Sequence, residues 1–371
     1  MNILIVKTSA IGDVLHTLPA LQALRRRYPE AHIAWLVEEA AAPIVLGHPA
    51  LDQVLVAKRR SWVAAFRAGR WWSTALEVWL FIKQLRARPY DLLIDFQGLL
   101  KSSLWIACCR ARRKVGFGPG MAHSEGSYLL LSERLPPVDM DIHAVDRELL
   151  LLAAIGVPAA EVEYTLPLSA ADHDQATTLL AAHGITADQA LVVINPLTTW
   201  PTKHWSDQGF ALVADRLIDQ DMKIVFSGGL GDRGRIEAII GLMQRPGAVN
   251  LAGVTGLKTL AAIQARARLL ITTDTGPMHL AAAVHTPVVA LFGPTAPWRT
   301  GPYGQAGHQI VRLDLPCSPC FKRRCPLATE ACMQGIGVDD VLAAVMRILE
   351  ANPEGNQCRN LCTMSGEQEC A

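Results

Sequence analysis

Long hydrophobic runs are missing from this chain. Half of its 371 residues are hydrophobic, yet charges break each apolar stretch short of the ~18–20 residues that a membrane-spanning helix needs. A spanning segment is therefore not expected. Residues 1–7 are too few for a secretory signal and read as a strand, so the expected location is the cytoplasm. A large net charge is missing too, the balance being +1. It is unevenly spread: residues 1–160 carry 19 Lys and Arg against 14 Asp and Glu, and the rest carry 16 against 20. A basic first half and an acidic second half point to two domains with different partners. Cysteine is scarce before residue 317, where only Cys108 and Cys109 occur, in an apolar helical stretch, and read as inert core thiols. There is no short repeat and no low-complexity block, and with 19% charged residues a large core rather than disorder is expected.

What is present is alternation. Strand-like runs at 3–7, 32–38, 53–57, 91–95 and about 114–117 are separated by helical patterns at about 13–27, 73–88 and 98–110. A helical stretch at 142–155 precedes a proline-containing join near 156–170. The pattern then restarts, with strands at 190–195, 222–227, 248–251, 268–273 and 287–292 and helices at about 205–220, 231–244, 257–266 and 337–351. Short apolar strands alternating with helices of this length read as βαβ units on a parallel sheet. The expected fold class is α/β: two Rossmann-like doubly wound domains, 1–165 and 166–351, facing a central cleft. The polar tail, 352–371, is expected to be poorly ordered.

The stretch 271–295, ITTDTGPMHLAAAVHTPVVALFGPT, reads as strand, tight turn, helix, strand. Gly276 lets the backbone approach a ligand, and Pro277 suits the first helical position, where no N–H is missed. The turn thus offers helix N–H groups to an anion such as phosphate, although Asp274 would equally serve as a plain N-cap. Three more turns follow strands. Thr8-Ser9-Ala10-Ile11-Gly12-Asp13 puts a carboxylate at a helix start, as an N-cap or as a general base. Asn195-Pro196-Leu197-Thr198-Thr199 with Lys203 brings hydroxyls and a point charge toward one phosphate group, or forms a solvated loop. Ser227-Gly228-Gly229-Leu230-Gly231-Asp232 is rich in glycine. Turns of this kind along one edge of a sheet line a ligand crevice.

Taken together, residues 6–19 (VKTSAIGDVLHTLP), Asp95-Phe96-Gln97-Gly98-Leu99-Leu100-Lys101-Ser102, Thr198-Thr199 with Lys203-His204-Trp205, and Asp274-Thr275-Gly276 with His279 resemble the ADP-heptose:lipopolysaccharide heptosyltransferases, glycosyltransferase family 9. The resemblance covers residues 1 to about 350. It implies a GT-B fold and an inverting transfer from ADP-L-glycero-β-D-manno-heptose, with no cofactor and no catalytic metal. It also implies roles. Asp13 is the base that deprotonates the acceptor hydroxyl. Thr198, Thr199 and Lys203 hold the diphosphate, and Lys203 is catalytic through the charge it stabilises on the leaving group. Asp274, Thr275, Gly276 and His279 form the donor-sugar and phosphate loop, and Thr255 meets the nucleoside. The implied acceptor is Kdo-lipid A or the growing inner core, with Arg59, Arg60, Lys101 and Arg147 on the acceptor side. The N-terminal half is most similar to members that add the first heptose to Kdo. Pro316 to Met333 looks more like members acting on a later core acceptor.

The residues fit such a division of labour. Phosphate-type turns gather in the second half. The first half is basic and rich in Trp: Lys58-Arg59-Arg60 with Trp62, Arg67 and Arg70 with Trp71-Trp72, Lys101, and Arg112-Arg113-Lys114. That suits a lipid acceptor bearing carboxylates and phosphates and leaves peripheral contact with the inner membrane open, although a solvated surface uses the same residues. Nucleic acid would as well, but no nucleic-acid motif accompanies them and no such partner is expected. Asp139-Met140-Asp141 is a DxD, read as helix-start carboxylates. Cys317, Cys320, Cys325 and Cys332 leave a structural zinc site, disulfides or free thiols open, with disulfides disfavoured in a cytoplasm. Cys358, Cys362 and Cys370, in the tail, are given no catalytic part. Two other function classes stay open: a nucleotide-sugar hydrolase or epimerase on the same fold, and a non-catalytic nucleotide-sugar binder.

Overall fold

The apolar runs read from the sequence become two parallel sheets in a computed structural model that describes residues 1–121, 125–158 and 162–353. Residues 354–371 of the tail, with Cys358, Cys362 and Cys370, lie outside the described residues. The chain divides into two units, Met1–Pro167 and Leu168–Ala371.

In the first unit the strands are β1 (Asn2–Val6), β2 (His32–Glu38), β3 (Gln53–Ala57), β4 (Tyr90–Asp95), β5 (Ala111–Phe117) and β6 (Glu133–Leu135). They pair in the order β3-β2-β1-β4-β5-β6, every neighbour parallel. The second unit has β7 (Leu191–Asn195), β8 (Lys223–Phe226), β9 (Val249–Asn250), β10 (Leu269–Thr273), β11 (Val288–Phe292) and β12 (Gln309–Arg312). Their order is β12-β11-β10-β7-β8-β9, again all parallel. Counted from its own first strand, each unit has the same doubly wound order, with β1 and β4, or β7 and β10, at the centre.

Central strands of such sheets are covered by helices on both faces and must be apolar throughout. Ile3, Leu4, Ile5 and Val6 are buried accordingly, as are Val192, Val193 and Ile194 in β7. Alternation then sorts them: Val192 and Ile194 pack with Trp205, Phe210 and Ile236 on one face, and Val193 with Ile263 and Met278 on the other.

The structure departs from the sequence reading in a few places. The helix expected at 13–27 is two, Ile11–His16 and Leu18–Arg27. Pro19 has no N–H to continue the first, and the Thr17 hydroxyl donates to the Asp13 carbonyl at 2.9 Å instead. Helices Arg59–Arg67 and Ala170–Ala182 and the edge strands β6 and β12 had not been expected. The helix at Ala170 carries a capping box that its weak apolar periodicity concealed: Ser169 N–H donates to Asp172 at 2.8 Å, and Asp172 N–H donates back to the Ser169 hydroxyl. The DxD is a turn, in which Asp141 N–H donates to Asp139 Oδ1 at 2.8 Å. His143, not a carboxylate, caps helix Ala144–Ala154.

His48 ties the end of the first unit to its sheet layer. Its Nδ1 accepts from Ala50 N–H at 3.1 Å, so Nε2 carries the proton that faces the Thr165 carbonyl at 3.0 Å. Burial lowers its pKa from 6.5 to about 4. Between those values the unfolded chain binds a proton that the folded one refuses. The stability is therefore complete above pH 6.5 and is lost as pH falls toward about 4, by on the order of 3 kcal/mol. His48→Gln should flatten this dependence: the urea midpoint should change less between about pH 7 and about pH 4.5 than in the parent protein.

Candidate functional site

In the first unit the site begins where β1 and β4 end. Lys7 follows the apolar run of β1 and is buried; its Nζ donates to Glu148 Oε1 at 2.7 Å and to the Phe96 carbonyl at 2.9 Å. Burial pulls the Lys7 pKa down, but Glu148, Asp13 and Asp95 outweigh it and hold the ammonium above its ordinary value. Gln97 joins the two loops. Its Oε1 accepts from Thr8 N–H at 2.8 Å, the Thr8 hydroxyl at 2.9 Å and Ser9 N–H at 2.9 Å. Buried Asp95 accepts from the amides of Gln97 at 3.0 Å and Gly98 at 3.1 Å, and burial raises its pKa. Gly98 has φ +69°, a conformation that favours glycine. Lys101 Nζ, beyond it, donates to the Ser9 hydroxyl.

Asp13 stands exposed in the first turn of helix Ile11–His16. One carboxylate oxygen accepts from Ala10 N–H at 2.9 Å, which restrains the exposed side chain. Arg59 starts helix Arg59–Arg67 and grips Glu38, at the end of β2, by two bonds of 2.8 and 3.3 Å. Those bonds raise the guanidinium's pKa. Arg60 beside it is exposed. Arg59 and Lys101 line one groove of about 550 Å³ with Trp62, Leu100 and Leu104. The Lys101 pKa is lowered by burial, while Glu38 and Asp13 oppose that. Arg147 is employed differently: its Nη1 donates to the carbonyls of Met140 at 2.9 Å and Ile142 at 2.6 Å.

In the second unit the corresponding loops follow β7 and β10. Lys203 Nζ donates to Asp274 Oδ2 at 2.6 Å, and the Thr295 hydroxyl donates to the same oxygen at 2.7 Å. The ammonium also lies 4.6 Å from the centre of the Trp200 ring. Side-chain exposures of 13% for Lys203 and 8% for Asp274 make this a largely dry pair. Thr198 is half-buried and Thr199 exposed. The Thr198 carbonyl accepts from His204 Nε2 at 2.8 Å, His204 Nδ1 accepts from Arg235 at 2.9 Å, and Arg235 pairs with Asp207 at 3.0 Å. This chain anchors the hydroxyl loop to helix Arg233–Gly241. The Thr272 hydroxyl donates to the Asn195 carbonyl at 3.0 Å and that of Ser227 to Asn195 Oδ1 at 3.2 Å, tying the ends of β7, β8 and β10. Thr275 is the N-cap residue of helix Gly276–Ala283, with Pro277 in its first turn and His279 buried within it. Thr255 lies after β9, half-buried, just before helix Leu257–Arg266. In the loop before it, Gly253 has φ +77°, and a Cβ there would meet Leu230 Cα at 2.7 Å.

The structure thus brings Thr198, Lys203, Asp274 and Thr275 to the ends of two adjacent strands, and Asp13, Arg59 and Lys101 to the same edge of the other sheet. For the cysteine segment, where the sequence leaves zinc, disulfides and free thiols open, the four thiols are unbridged. Cys317, Cys320, Cys325 and Cys332 line one cavity of about 250 Å³, but among the described residues no three His, Cys, Asp or Glu side chains converge closely enough to hold a metal ion. Cys317 is exposed, and the amides of Glu330, Leu327, Thr329 and Ala328 lower the Cys325 thiol pKa. The sequence reading missed Glu148, Gln97 as a hub, and the Arg235–His204 relay. The signal for Glu148 was its place in a helical stretch directly before the apolar residues 149–152.

Each unit is a Rossmann-type parallel sheet of doubly wound order whose polar motif loops follow the central strands, the architecture of GT-B proteins. The family model for glycosyltransferase family 9 (heptosyltransferase) matches residues 78–330. The chain is 35% identical over 332 residues to lipopolysaccharide heptosyltransferase 1 of Pseudomonas aeruginosa, covering 88% of this chain and 87% of that protein. The solved structure of E. coli heptosyltransferase WaaC with ADP superposes with a TM-score of 0.74 at 26% identity, over 94% of this chain and 100% of the other. A family 9 glycosyltransferase from Veillonella parvula shares the fold, with a TM-score of 0.81 at 23% identity over 95% and 98% of the two chains. The chain belongs to glycosyltransferase family 9.

Breaking a buried ion pair by removing one partner costs more than replacing both. Glu148→Gln should therefore destabilise the first unit by about 3–5 kcal/mol, and Lys7→Met with Glu148→Leu should recover most of that loss. Urea unfolding of the two variants checks it. A double variant no more stable than the single would show that the pair is worth its full strength.

Proposed function

We propose that this protein transfers L-glycero-D-manno-heptose from ADP-heptose to the Kdo-lipid A inner core of lipopolysaccharide, inverting the anomeric centre. The observation that carries the reading is convergence: the motif loops follow β1, β4, β7 and β10, the central strands of the two sheets. The names of the relatives supply the sugar, and the ADP in the E. coli structure supplies the nucleotide.

In this reading Asp13 takes the proton from the acceptor hydroxyl as its oxygen bonds to the anomeric carbon. The bond from that carbon to the phosphate oxygen breaks on the opposite face, and ADP leaves. Anchoring by Ala10 N–H keeps the carboxylate aimed without an entropy cost at the moment of reaction. Lys203 binds the diphosphate, whose charge grows as the bond breaks, so its contribution is to rate. Asp274 positions Lys203 as well as meeting the donor. Thr198, Thr199, Thr275 and Gly276 offer hydroxyl and amide donors, His279 backs the loop, and Thr255 meets the nucleoside. Arg59, Arg60 and Lys101 recognise an acidic acceptor, and Arg147 orders the 140–142 loop beside it. Because the acceptor is a lipid, the enzyme works at the cytoplasmic face of the inner membrane.

A matrix of ADP-heptose against Kdo-lipid A, heptosylated Kdo-lipid A and no acceptor, read by mass spectrometry, tests the proposal. A heptosyl product with Kdo-lipid A is expected. ADP release or sugar isomerisation without acceptor would replace it with a hydrolase or epimerase. Asp13→Asn should lower kcat by ~10²–10⁴ while ADP binding holds. Lys203→Ala should lower kcat by ~10²–10³ and weaken ADP binding too. Replacing Arg59 and Arg60 by Ala should raise the acceptor KM and leave ADP-heptose affinity unchanged; calorimetry and steady-state rates separate the two.

A further inference from the structure

We infer that the outer face of helix Trp71–Leu85, with Phe66 on the helix before it, is the surface by which this enzyme lies on an anionic lipid bilayer. Soluble proteins seldom leave large apolar side chains together in water. Here Trp72 is 89% exposed, Leu76 55%, Trp79 54%, Leu80 48%, Phe66 58% and Trp71 60%. Positions 72, 76, 79 and 83 share one helical face, and Thr74, Phe81 and Leu85, on the opposite face, are buried. The helix therefore has two apolar faces, one that serves the core and one left exposed among the described residues. Trp71 Nε1 donates to the Phe66 carbonyl at 3.0 Å and the two rings lie 6.2 Å apart, which holds the two helices as one surface.

The residue types and the charge select the occupant. Residues 58–88 hold four of the chain's nine Trp, and eight Lys and Arg against a single carboxylate, Glu77. Glu77 is itself bonded to Trp62 Nε1 at 3.0 Å. Tryptophan and flanking cations are the pair that settles at a headgroup boundary: the rings enter the interface and the cations meet anionic lipid. Lys83, on the same face, lies 5.5 Å from the Trp79 ring. A second copy of the chain is a poor occupant, because a two-fold contact would set the same cations against each other. Val63, three residues before Phe66 on the same helix, lines a groove with Trp62, Leu100, Leu104, Arg59 and Lys101, the groove that the proposed function gives to the acceptor. The inference deepens the proposed function and rests on that reading for the acceptor, but the vesicle measurement below requires neither donor nor acceptor.

The test is flotation of the full-length enzyme with vesicles of phosphatidylethanolamine and phosphatidylglycerol, and with vesicles of phosphatidylcholine alone. Binding is expected to the anionic vesicles and to weaken as salt is raised. The combined variant Trp72→Ser, Trp79→Ser, Leu80→Ser should lose at least about tenfold in partition coefficient. It should keep its ADP affinity and its turnover of a deacylated, water-soluble Kdo acceptor, which shows that it is folded. A separate variant, Arg67→Glu with Arg70→Glu, should lose the preference for phosphatidylglycerol. Vesicle binding unchanged in the combined variant would overturn the assignment, as would a parent enzyme that ignores anionic vesicles. A parent dimer in sedimentation that the combined variant dissociates, without vesicle binding by either, would give the face to a second copy. Intact vesicle binding with no heptosyl product would sink only the proposed reaction.

Discussion

When every strand of a sheet runs the same way, each loop that follows a strand emerges at one edge, and the two strands from which the chain winds outward in opposite directions leave a gap between their loops. Both units obey this constraint, with β1 and β4 flanking the gap in one and β7 and β10 in the other. Every side chain assigned a chemical part in the central loops follows from it. Asp13 and Lys101 come from the first pair of loops, and Thr198, Lys203 and Asp274 from the second. Fold and chemistry are coupled here through strand order rather than through any single contact.

The constraint brings polar side chains to strand ends that are otherwise apolar, and burial without partners is expensive. Each unit answers with an ion pair, and the two pairs differ in kind. Lys7 is enclosed, its ammonium shared between Glu148 and a carbonyl, so that its work is to hold the β1 and β4 loops against helix Ala144–Ala154. Lys203 is held by one carboxylate and an aromatic face, with the exposed Thr199 close by in sequence. Gln97 and His204 both brace a loop through its backbone: Gln97 takes amides of the β1 loop, and His204 bonds the Thr198 carbonyl within its own loop.

Much of this could be read in the residues. Apolar runs such as Ile3 to Val6 and Leu269 to Ile271 announce strands because a doubly covered strand admits little else. The turns after them announce themselves by Gly, Asp and Thr at strand ends. What escaped reading depends on partners distant in sequence. Glu148 is 141 residues from Lys7 and Asp274 is 71 from Lys203, and no local pattern couples them. Edge strands escaped for another reason: β6 and β12 are short and partly exposed, so they lack the apolar signature of the centre. Helix Arg59–Arg67 has only Trp62 buried, so the charges around it suggest a solvated surface and not a helix. The cysteines are the reverse case: their spacing suggests several states, and in the fold the four line one cavity without three of them converging as metal ligands.

The resting partner of Lys203 bears on how the proposed cycle would turn over. With Asp274 as its counter-ion, the ammonium is neutralised before any nucleotide arrives. A diphosphate that takes it over performs an ion exchange: one anion replaces another on a cation that has already lost most of its water. The same exchange runs backward as ADP departs, with the carboxylate recapturing the charge. The pocket would then hold the leaving group hardest while its bond to the sugar is breaking and release it to a competitor already in place, so that a firm grip on the transition state need not become a slow release of product.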